Sequence, residues 1–247
     1  MLFMDAHSHA HLLSGTANAW PDIMICCGTH AGDWPAVAAW CAEHPGAYAA
    51  YGVHPWYADA CADALVEDLA QRLQADATAG VGEIGLHFAK AWANRAEQMA
   101  CFAAQLQLGC TYGRTVSIHC VHAWGPLLTC LDAVADLRQG RILVHDFSGS
   151  VEIAHELVGR GVFLSCRPSA QRSRLSQVVA SVDRNYLLVE RDAGGQPGEQ
   201  VYDCRVLEDS LSQMAAWRGE PLEELRAVVC ANGERVVGRG NAEMLKC

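Results

Sequence analysis

Eight short apolar runs alternate with helix-like segments along this chain, and no other sequence feature constrains the fold as strongly. The runs are nearly continuous in apolar residues, which is typical of strands that are buried on both faces. They span residues 2–7, 22–28, 47–54, 80–86, 114–119, 141–147, 161–166 and 186–192. Between them apolar residues recur at the helical period, as at Leu65, Leu69 and Leu73. The alternation predicts a TIM-type (β/α)8 barrel, with a doubly wound open sheet as the alternative.

The length of 247 residues suits one domain that spans residues 1–247. A hydrophobic content of 51% excludes a disordered chain, and no uncharged apolar stretch is long enough to predict a membrane span. The start MLFMDAHSH lacks the basic and apolar regions of a signal peptide. The twelve cysteines show no C-x-x-C spacing, so we interpret them as reduced, mostly buried thiols. These features indicate a cytoplasmic protein, for which we expect a monomer.

Metal-binding residue types gather where the predicted strands end. They are Asp5, His7, His9, Glu83, His119, His145 and Asp192. The carboxyl ends of parallel barrel strands converge on one face, where the active sites of this fold lie. Burying so many polar groups together would be costly without a cation or another partner. The set therefore predicts a metal site rather than a group of independent core histidines.

With Asp5 set aside, the four histidines and two carboxylates suit Zn²⁺, Mn²⁺, Fe or Co better than Mg²⁺, which prefers an all-oxygen shell. Six ligands exceed the need of one tetrahedral site and fit two divalent metal ions that share a bridging anion. Glu83 is the natural candidate for that bridge. Asp5 is a candidate for orienting a histidine ring instead of binding a metal.

Several motifs in this chain resemble those of the TatD family of metal-dependent hydrolases, within the amidohydrolase superfamily. They are DAHSH (5–9), GVHP (52–55), GEIGL (82–86), SIH (117–119), HDFSGS (145–150), ERDA (190–193) and the closing ANGERVV (231–237). Each motif alone is weak, but the ordered set at barrel spacing is specific. The resemblance implies a TIM barrel that hydrolyses phosphodiesters in DNA, or removes amino acids from mischarged tRNA.

The resemblance also implies roles for individual residues. It places His7, His9 and Asp192 on a first metal, and His119 and His145 on a second, with Glu83 shared between them. Asp192 would take a proton from the attacking water, as a carboxylate beside that water can. His54, in the GVHP motif, would face the substrate phosphate.

The chain departs from the family pattern beside these residues. His87 stands where the family usually has an acid, and Val121 where it often has arginine. The family's E-T-D-x-P appears as residues 190–194, ERDAG. His87 is thus a candidate substrate or proton-relay group. His11 permits a second H-x-H register, but Asp5 anchors the first motif on His7 and His9.

Arginines and tryptophans near the strand ends are candidate substrate contacts. Arg167, Arg172 and Arg174 fall in one predicted loop after strand seven, and arginine suits phosphate oxygens. Arg167 is the preferred phosphate ligand, with a solvated charged loop as the alternative interpretation. Arg191 should point outward because it lies between two inward-facing acids. Three tryptophans also follow predicted strand ends: Trp56, Trp92 and Trp124. They could stack on a base or nucleoside, and the alternative is that they pack against helices.

A formal net charge of −10 argues against an extended duplex-binding surface, since duplex binders usually carry a basic footprint. The leading hypothesis is a phosphodiesterase that acts on DNA ends, single strands or small phosphoesters. His87 and Val121 motivate the alternative of a carboxylic ester, amide or lactone substrate. A third hypothesis is a metal-binding homologue with degraded catalysis, which the retained Asp192 disfavours.

Overall fold

The computed structural model describes residues 3–15, 17–61, 63–89, 95–169, 173–195 and 199–239. Eight parallel strands pair in chain order, as the apolar runs predict. They are β1 (Met4–Ser8), β2 (Ile23–Cys27), β3 (Ala47–Tyr51), β4 (Gly80–His87), β5 (Thr115–Val121), β6 (Arg141–Val144), β7 (Phe163–Cys166) and β8 (Leu187–Val189). Several strands are shorter than the apolar runs, because the carboxyl-terminal residues of those runs belong to the loops that carry the polar residues.

Helices follow the strands and surround the sheet. They are α1 (Trp34–Glu43), α2 (Asp63–Ala75), α3 (Arg95–Thr111), α4 (Trp124–Ala133), α5 (Val151–Gly159), α6 (Ser173–Ser181), α7 (Arg205–Arg218) and α8 (Leu222–Val237). The architecture is the expected TIM-type (β/α)8 barrel. None of the helices in the described ranges is long and apolar enough to cross a membrane.

Side chains alternate between two apolar layers because successive residues of a strand face opposite sides. On β2, Ile23 and Ile25 belong to the barrel interior, whereas Met24 and Cys26 pack outward against the helices. Val236 of α8 joins the interior cluster. Apolar side chains thus fill the barrel below the carboxyl ends of the strands and leave that end for polar groups.

Helix α8 closes the amino-terminal end of the barrel through backbone carbonyl groups. The Val236 carbonyl accepts hydrogen bonds from the Thr115 hydroxyl (2.7 Å) and the Arg141 guanidinium (2.8 Å). The Asn232 amide donates to the Leu187 carbonyl at 2.8 Å. Asn232, the asparagine of the closing ANGERVV motif, therefore holds the barrel together at the end away from the site.

Strands β8 and β1 meet at the seam of the barrel. In the described residues no strand ladder pairs them, and two backbone–backbone hydrogen bonds join their segments at the carboxyl end. The Asp192 amide donates to the His7 carbonyl (3.1 Å), and the His9 amide donates to the Ala193 carbonyl (2.6 Å). The seam is thus fastened by the segments that carry the predicted metal ligands.

Cysteine behaves as the sequence predicts. All cysteines in the described ranges are free, and most of them are buried. Burial raises the pKa of thiols such as Cys110, to about 11, and Cys120, to about 12. These thiols pack as small apolar groups.

Candidate metal centre

Glu83 lies at the centre of the polar end of the barrel. It is buried in β4, and its amide donates to the Gly28 carbonyl at 2.7 Å. Five imidazole nitrogens surround its carboxylate: His9 Nε2 (3.1 Å) and His7 Nε2 (3.5 Å) near Oε2, and His145 Nε2 (2.8 Å), His119 Nδ1 (2.9 Å) and His54 Nε2 (3.4 Å) near Oε1. The structure therefore brings together histidines from across the sequence around one carboxylate.

A first cluster consists of His7, His9 and the Oε2 side of Glu83. The two Nε2 atoms are 3.3 Å apart, and they lie 3.5 and 3.1 Å from the carboxylate oxygen. Ligands about 2 Å from a tetrahedral zinc ion are roughly 3.3 Å from one another. The distances between these three donor atoms therefore fit the ligand–ligand spacing of one metal coordination shell.

A second cluster forms on the other carboxylate oxygen. His119 Nδ1 and His145 Nε2 lie 3.2 Å apart and within 2.9 Å of Glu83 Oε1. The two distances to the carboxylate oxygen are shorter than a tetrahedral ligand spacing and are also hydrogen-bond lengths, while the 3.2 Å between the two nitrogens matches it. Glu83 thus offers one oxygen to each cluster, as expected of a carboxylate that bridges two metals.

The outer nitrogens of the first cluster are oriented by the barrel. His9 Nδ1 donates to the Cys27 carbonyl at 2.8 Å, which leaves Nε2 free of its proton in the neutral ring. His7 Nδ1 lies 2.8 Å from the Ser117 hydroxyl. Such partners fix the tautomer and the ring angle of metal-binding histidines. This pattern is a second observation, besides the spacing, that fits a metal.

The second cluster has outer partners of its own. His119 Nε2 lies 2.9 Å from His87 Nδ1, and His145 Nδ1 lies 3.5 Å from Glu190 Oε1. Glu190 is fully buried, and its contact with His145 is not among the predicted site contacts. Its place in ERDA, two residues before Asp192, was the available signal, because residues two apart on a strand share a face. His87, a predicted substrate or proton-relay group, lies directly against the candidate ligand His119.

His54 has the opposite tautomer to that of His9, whose Nδ1 donates to a carbonyl. Its Nδ1 accepts the Trp56 amide proton at 3.2 Å, so the neutral ring carries its own proton on Nε2. That nitrogen faces Glu83 Oε1 at 3.4 Å. His54 is close enough to form a cluster with Glu83 and His119. Its tautomer nevertheless makes it a hydrogen-bond donor at the centre.

Burial and mutual contact set the charges of the centre. Burial lowers the pKa of His7 and of His119 to about 4. Burial also disfavours the charged form of His9, but the Glu83 carboxylate outweighs it and raises the pKa of His9 to about 9. The pKa of Glu83 is held well below its ordinary value, because the imidazoles of His54 and His145 outweigh burial. Glu83 is therefore the fixed negative charge of the centre.

Asp192 lies at the edge of the first cluster. Its Oδ1 is 3.9 Å from His9 Nε2, and the backbone has a positive φ of 55° that turns the side chain inward. Burial raises the pKa of Asp192 to about 7. The carboxylate is thus beside the candidate metal and nearer to solvent than Glu83.

Arg167 is placed beside this carboxylate. Its Nη2 is 3.7 Å from Asp192 Oδ2, and its guanidinium forms two hydrogen bonds with Asp146, at 3.0 and 3.3 Å. The prediction that Arg167, Arg172 and Arg174 share one loop is wrong for Arg174, which is exposed on α6. Arg172 lies outside the described residues.

Further predictions concern residues that flank the centre. Asp5 does not orient a histidine ring: its carboxylate accepts from the amides of Arg191 (3.0 Å) and His7 (3.3 Å) and from the Tyr202 hydroxyl (2.8 Å). Asp5 was assigned to a ring because backbone partners leave no trace in a sequence. Arg191 points away from the metals and pairs with Glu199 at 2.6 Å, as expected.

His11 points away from Glu83. Its Nδ1 contacts the Cys26 thiol (3.5 Å), and its Nε2 lies 3.9 Å from Asp33. This supports the His7 and His9 register of the first motif. Trp124 packs against Phe147 with 5.1 Å between ring centroids, so it is a packing residue. Trp92 lies outside the described residues.

Two buried glutamines on α3 were not anticipated, because polar residues of a helix usually face solvent. Gln98 accepts from the His87 amide at 2.8 Å and donates to the His87 carbonyl at 3.2 Å. Gln105 does the same with Val53, at 2.8 and 3.3 Å. Each side-chain amide thus holds both backbone groups of one residue, next to His54 in one case and at His87 in the other.

Comparisons with known proteins agree with this architecture. The family model described as TatD related DNase matches residues 4–238. The "3'-5' ssDNA/RNA exonuclease TatD" of Cronobacter sakazakii is 29% identical, over 93% of this chain and 92% of that protein. Its counterpart in Klebsiella pneumoniae is 26% identical over 87% and 86%.

Solved structures show the same fold. The TatD homologue YjjV from Escherichia coli has a TM-score of 0.82 at 24% identity, covering 95% of this chain and 97% of that one. A TatD-family hydrolase from Entamoeba histolytica has a TM-score of 0.79 at 14% identity, with the same coverage.

Proposed function

Because this chain belongs to the family of TatD-related DNases, we propose that it is a metal-dependent phosphodiesterase that removes nucleotides from the 3' ends of single-stranded nucleic acid. The observation that carries the proposal is the Glu83 carboxylate, which offers one oxygen to each of two histidine clusters. Two-metal sites of this kind suit in-line displacement at phosphorus. The 3' polarity comes from the names of the relatives.

The residues present fit two divalent transition metals. His7 and His9 would hold one and His119 and His145 the other, with Glu83 between them and Asp192 completing the first. Imidazole-rich sites favour Zn²⁺, Mn²⁺, Fe or Co over Mg²⁺. When bound, the metals would polarise the phosphate and lower the pKa of water.

Asp192 would act as the general base in this proposal. Its carboxylate stands beside the first cluster and is open on its solvent side, where an attacking water can enter. A carboxylate within hydrogen-bond reach can take the proton of that water as its oxygen bonds to phosphorus and the P–O ester bond to the shortened strand breaks. The departing oxygen would take up a proton from solvent. Arg167, anchored by Asp146, would keep the Asp192 carboxylate in place and remain within reach of a phosphate bound there.

His54 would bind the substrate. Because its Nδ1 accepts from a backbone amide, its Nε2–H is available to donate to a non-bridging phosphate oxygen. His87 would act through His119, whose outer nitrogen it contacts. Both residues thus orient groups around the phosphate without taking part in proton transfer from water.

Charge supports the choice of a strand end over a long duplex. The net charge is −10, and duplex binding depends largely on Lys and Arg that neutralise phosphates. One phosphate held by metals and His54 requires no such surface.

The decisive experiment measures metal content and cleavage together. Protein purified without added metal is analysed for transition metals, then assayed on a 5'-labelled single-stranded oligonucleotide. We expect cleavage in single-nucleotide steps by the wild type, and a loss of about 10²–10⁴-fold in Asp192→Asn. Asp132→Asn, an exposed acid on α4 that pairs with Arg160, is the matched control and should keep wild-type rates.

Two results would overturn the proposal. One is metal-loaded wild type that cleaves esters or lactones but no phosphodiester. The other is Asp192→Asn with undiminished cleavage.

A further inference from the structure

Trp56 is a large aromatic residue exposed at the edge of the candidate metal centre. Its side chain is 44% exposed, whereas Trp34 is fully buried and Trp124 packs in the core. The indole centroid lies 4.6 Å from the His54 ring and 5.9 Å from the His87 ring. The indole thus contacts two rings of the site and still presents part of its surface to solvent.

The backbone at Trp56 is held in place before any ligand arrives. Pro55 begins the short 3-10 segment Pro55–Ala60, and the Trp56 amide donates to His54 Nδ1 at 3.2 Å. Gln105 holds Val53, one residue before His54. A preorganised aromatic surface loses little conformational entropy when it binds a ligand.

The polar surroundings offer few free positive charges for binding a strand. In the described parts of the loops that follow the strands, the guanidinium groups are those of Arg167 and Arg191. Arg167 pairs with Asp146, and Arg191 pairs with Glu199. Among the described loop residues, further affinity for a strand end, beyond that of the metals and Arg167, would therefore come from contacts other than arginine–phosphate ion pairs.

On the basis of the proposed function, we infer that Trp56 stacks on the terminal nucleobase of the single strand and selects substrates that carry a base there. One imidazole, that of His54, separates the indole from the Glu83 carboxylate. In a nucleotide, one sugar ring similarly separates the base from its own phosphate. If the terminal phosphate binds at the candidate metal centre, its base would therefore lie close to Trp56. Every base has a π-face, so this contact favours single-stranded ends without selecting a sequence.

The test is a double-mutant cycle between Trp56→Ala and the terminal base. Wild type and variant are assayed on an oligonucleotide with an intact 3' end and on the same oligonucleotide with a 3'-terminal abasic sugar. Stacking on aromatic residues contributes about 1–3 kcal/mol per base, which corresponds to roughly 5- to 160-fold. We expect kcat/KM on the intact end to fall by that factor in Trp56→Ala, mainly through KM, and to be unchanged on the abasic end. Trp56→Phe should restore most of the loss.

Tyr57→Ala is the matched control. Tyr57 lies on the same 3-10 segment and is 39% exposed, but its ring packs on His30 at 4.9 Å. It should keep wild-type activity on both oligonucleotides. Equal losses on intact and abasic ends, or no loss on either, would overturn the stacking assignment while leaving the proposed phosphodiesterase intact.

If no oligonucleotide is cleaved, the proposed function is refuted, but the stacking contact is not. A binding measurement tests the stacking contact in that case. An oligonucleotide with 2-aminopurine at its 3' end is titrated with Asp192→Asn, with and without Trp56→Ala. Fluorescence quenching that depends on Trp56 supports the stacking contact independently of turnover. Binding without such quenching overturns it.

Discussion

Replacing Gln105 with methionine tests whether α3 holds in place the backbone that leads into His54 at the candidate metal centre. Gln105 is fully buried, and its side-chain amide pairs with both the N–H and the C=O of Val53, at 2.8 and 3.3 Å. Methionine has a similar length and keeps the volume filled. It offers no hydrogen bonds, so the substitution removes these partners from the backbone of Val53, which is itself buried.

The expected cost follows from the two backbone groups. A buried donor or acceptor that loses its partner costs about 1–3 kcal/mol. Partial relaxation and the apolar gain of methionine offset some of this, so we expect the free energy of unfolding to fall by about 2–4 kcal/mol. For a domain of this size, 1 kcal/mol corresponds to roughly 2–4 °C, which predicts a melting temperature lower by about 4–16 °C.

The assay is thermal and urea unfolding followed by circular dichroism. Gln107→Met on the same helix is the control, because Gln107 is exposed and donates only to the Thr111 hydroxyl at 3.2 Å. Its melting temperature should stay within about 2 °C of wild type, as surface substitutions usually do. If Gln105→Met were as stable as Gln107→Met, the side-chain amide would not hold the segment before His54, and the reasoning would be refuted.

Two further substitutions test the centre and the closed end of the barrel. Glu190→Gln should weaken metal binding about 10–100-fold, because the carboxylate beside His145 Nδ1 loses its charge. Competition with a chelator measures the affinity, and an unchanged affinity would contradict the role of Glu190 in orienting His145. Gly233→Ala should lower the free energy of unfolding by about 1–3 kcal/mol, because the new methyl group would overlap the sulfur of buried Met4, and urea unfolding at wild-type stability would contradict that overlap.

Sequence was sufficient to predict the barrel and the gathering of ligands, because both depend on strand direction alone. Once His7, Glu83, His119 and His145 lie on or just after parallel strands, the fold itself brings them to one face. The apolar runs overestimated most strand lengths, since burial continues beyond the last ladder bond. The run that ends at Asp192, for example, contains a strand of only three residues.

The partners around the centre were harder to predict, because they depend on side-chain rotamers and backbone hydrogen bonds. Asp5 has the spacing of a histidine partner, but the Arg191 amide and the Tyr202 hydroxyl take its oxygens. Gln98 and Gln105 occur in a sequence that also fits an exposed helix face. Only the packed structure shows that both side chains turn inward.

The position of the first cluster at the seam between β8 and β1 would give a bound metal a structural role. Its proposed ligands would come from both sides of that junction, His7 and His9 from one and Asp192 from the other. In the described residues two backbone–backbone hydrogen bonds and the Arg191 amide bond to the Asp5 carboxylate join the segments there. An ion held there would link the two sides of the barrel along this seam, which no strand ladder spans in the described residues. Opening of the seam and loss of the ion would then occur together, so the ion would stay bound for as long as the seam stays closed.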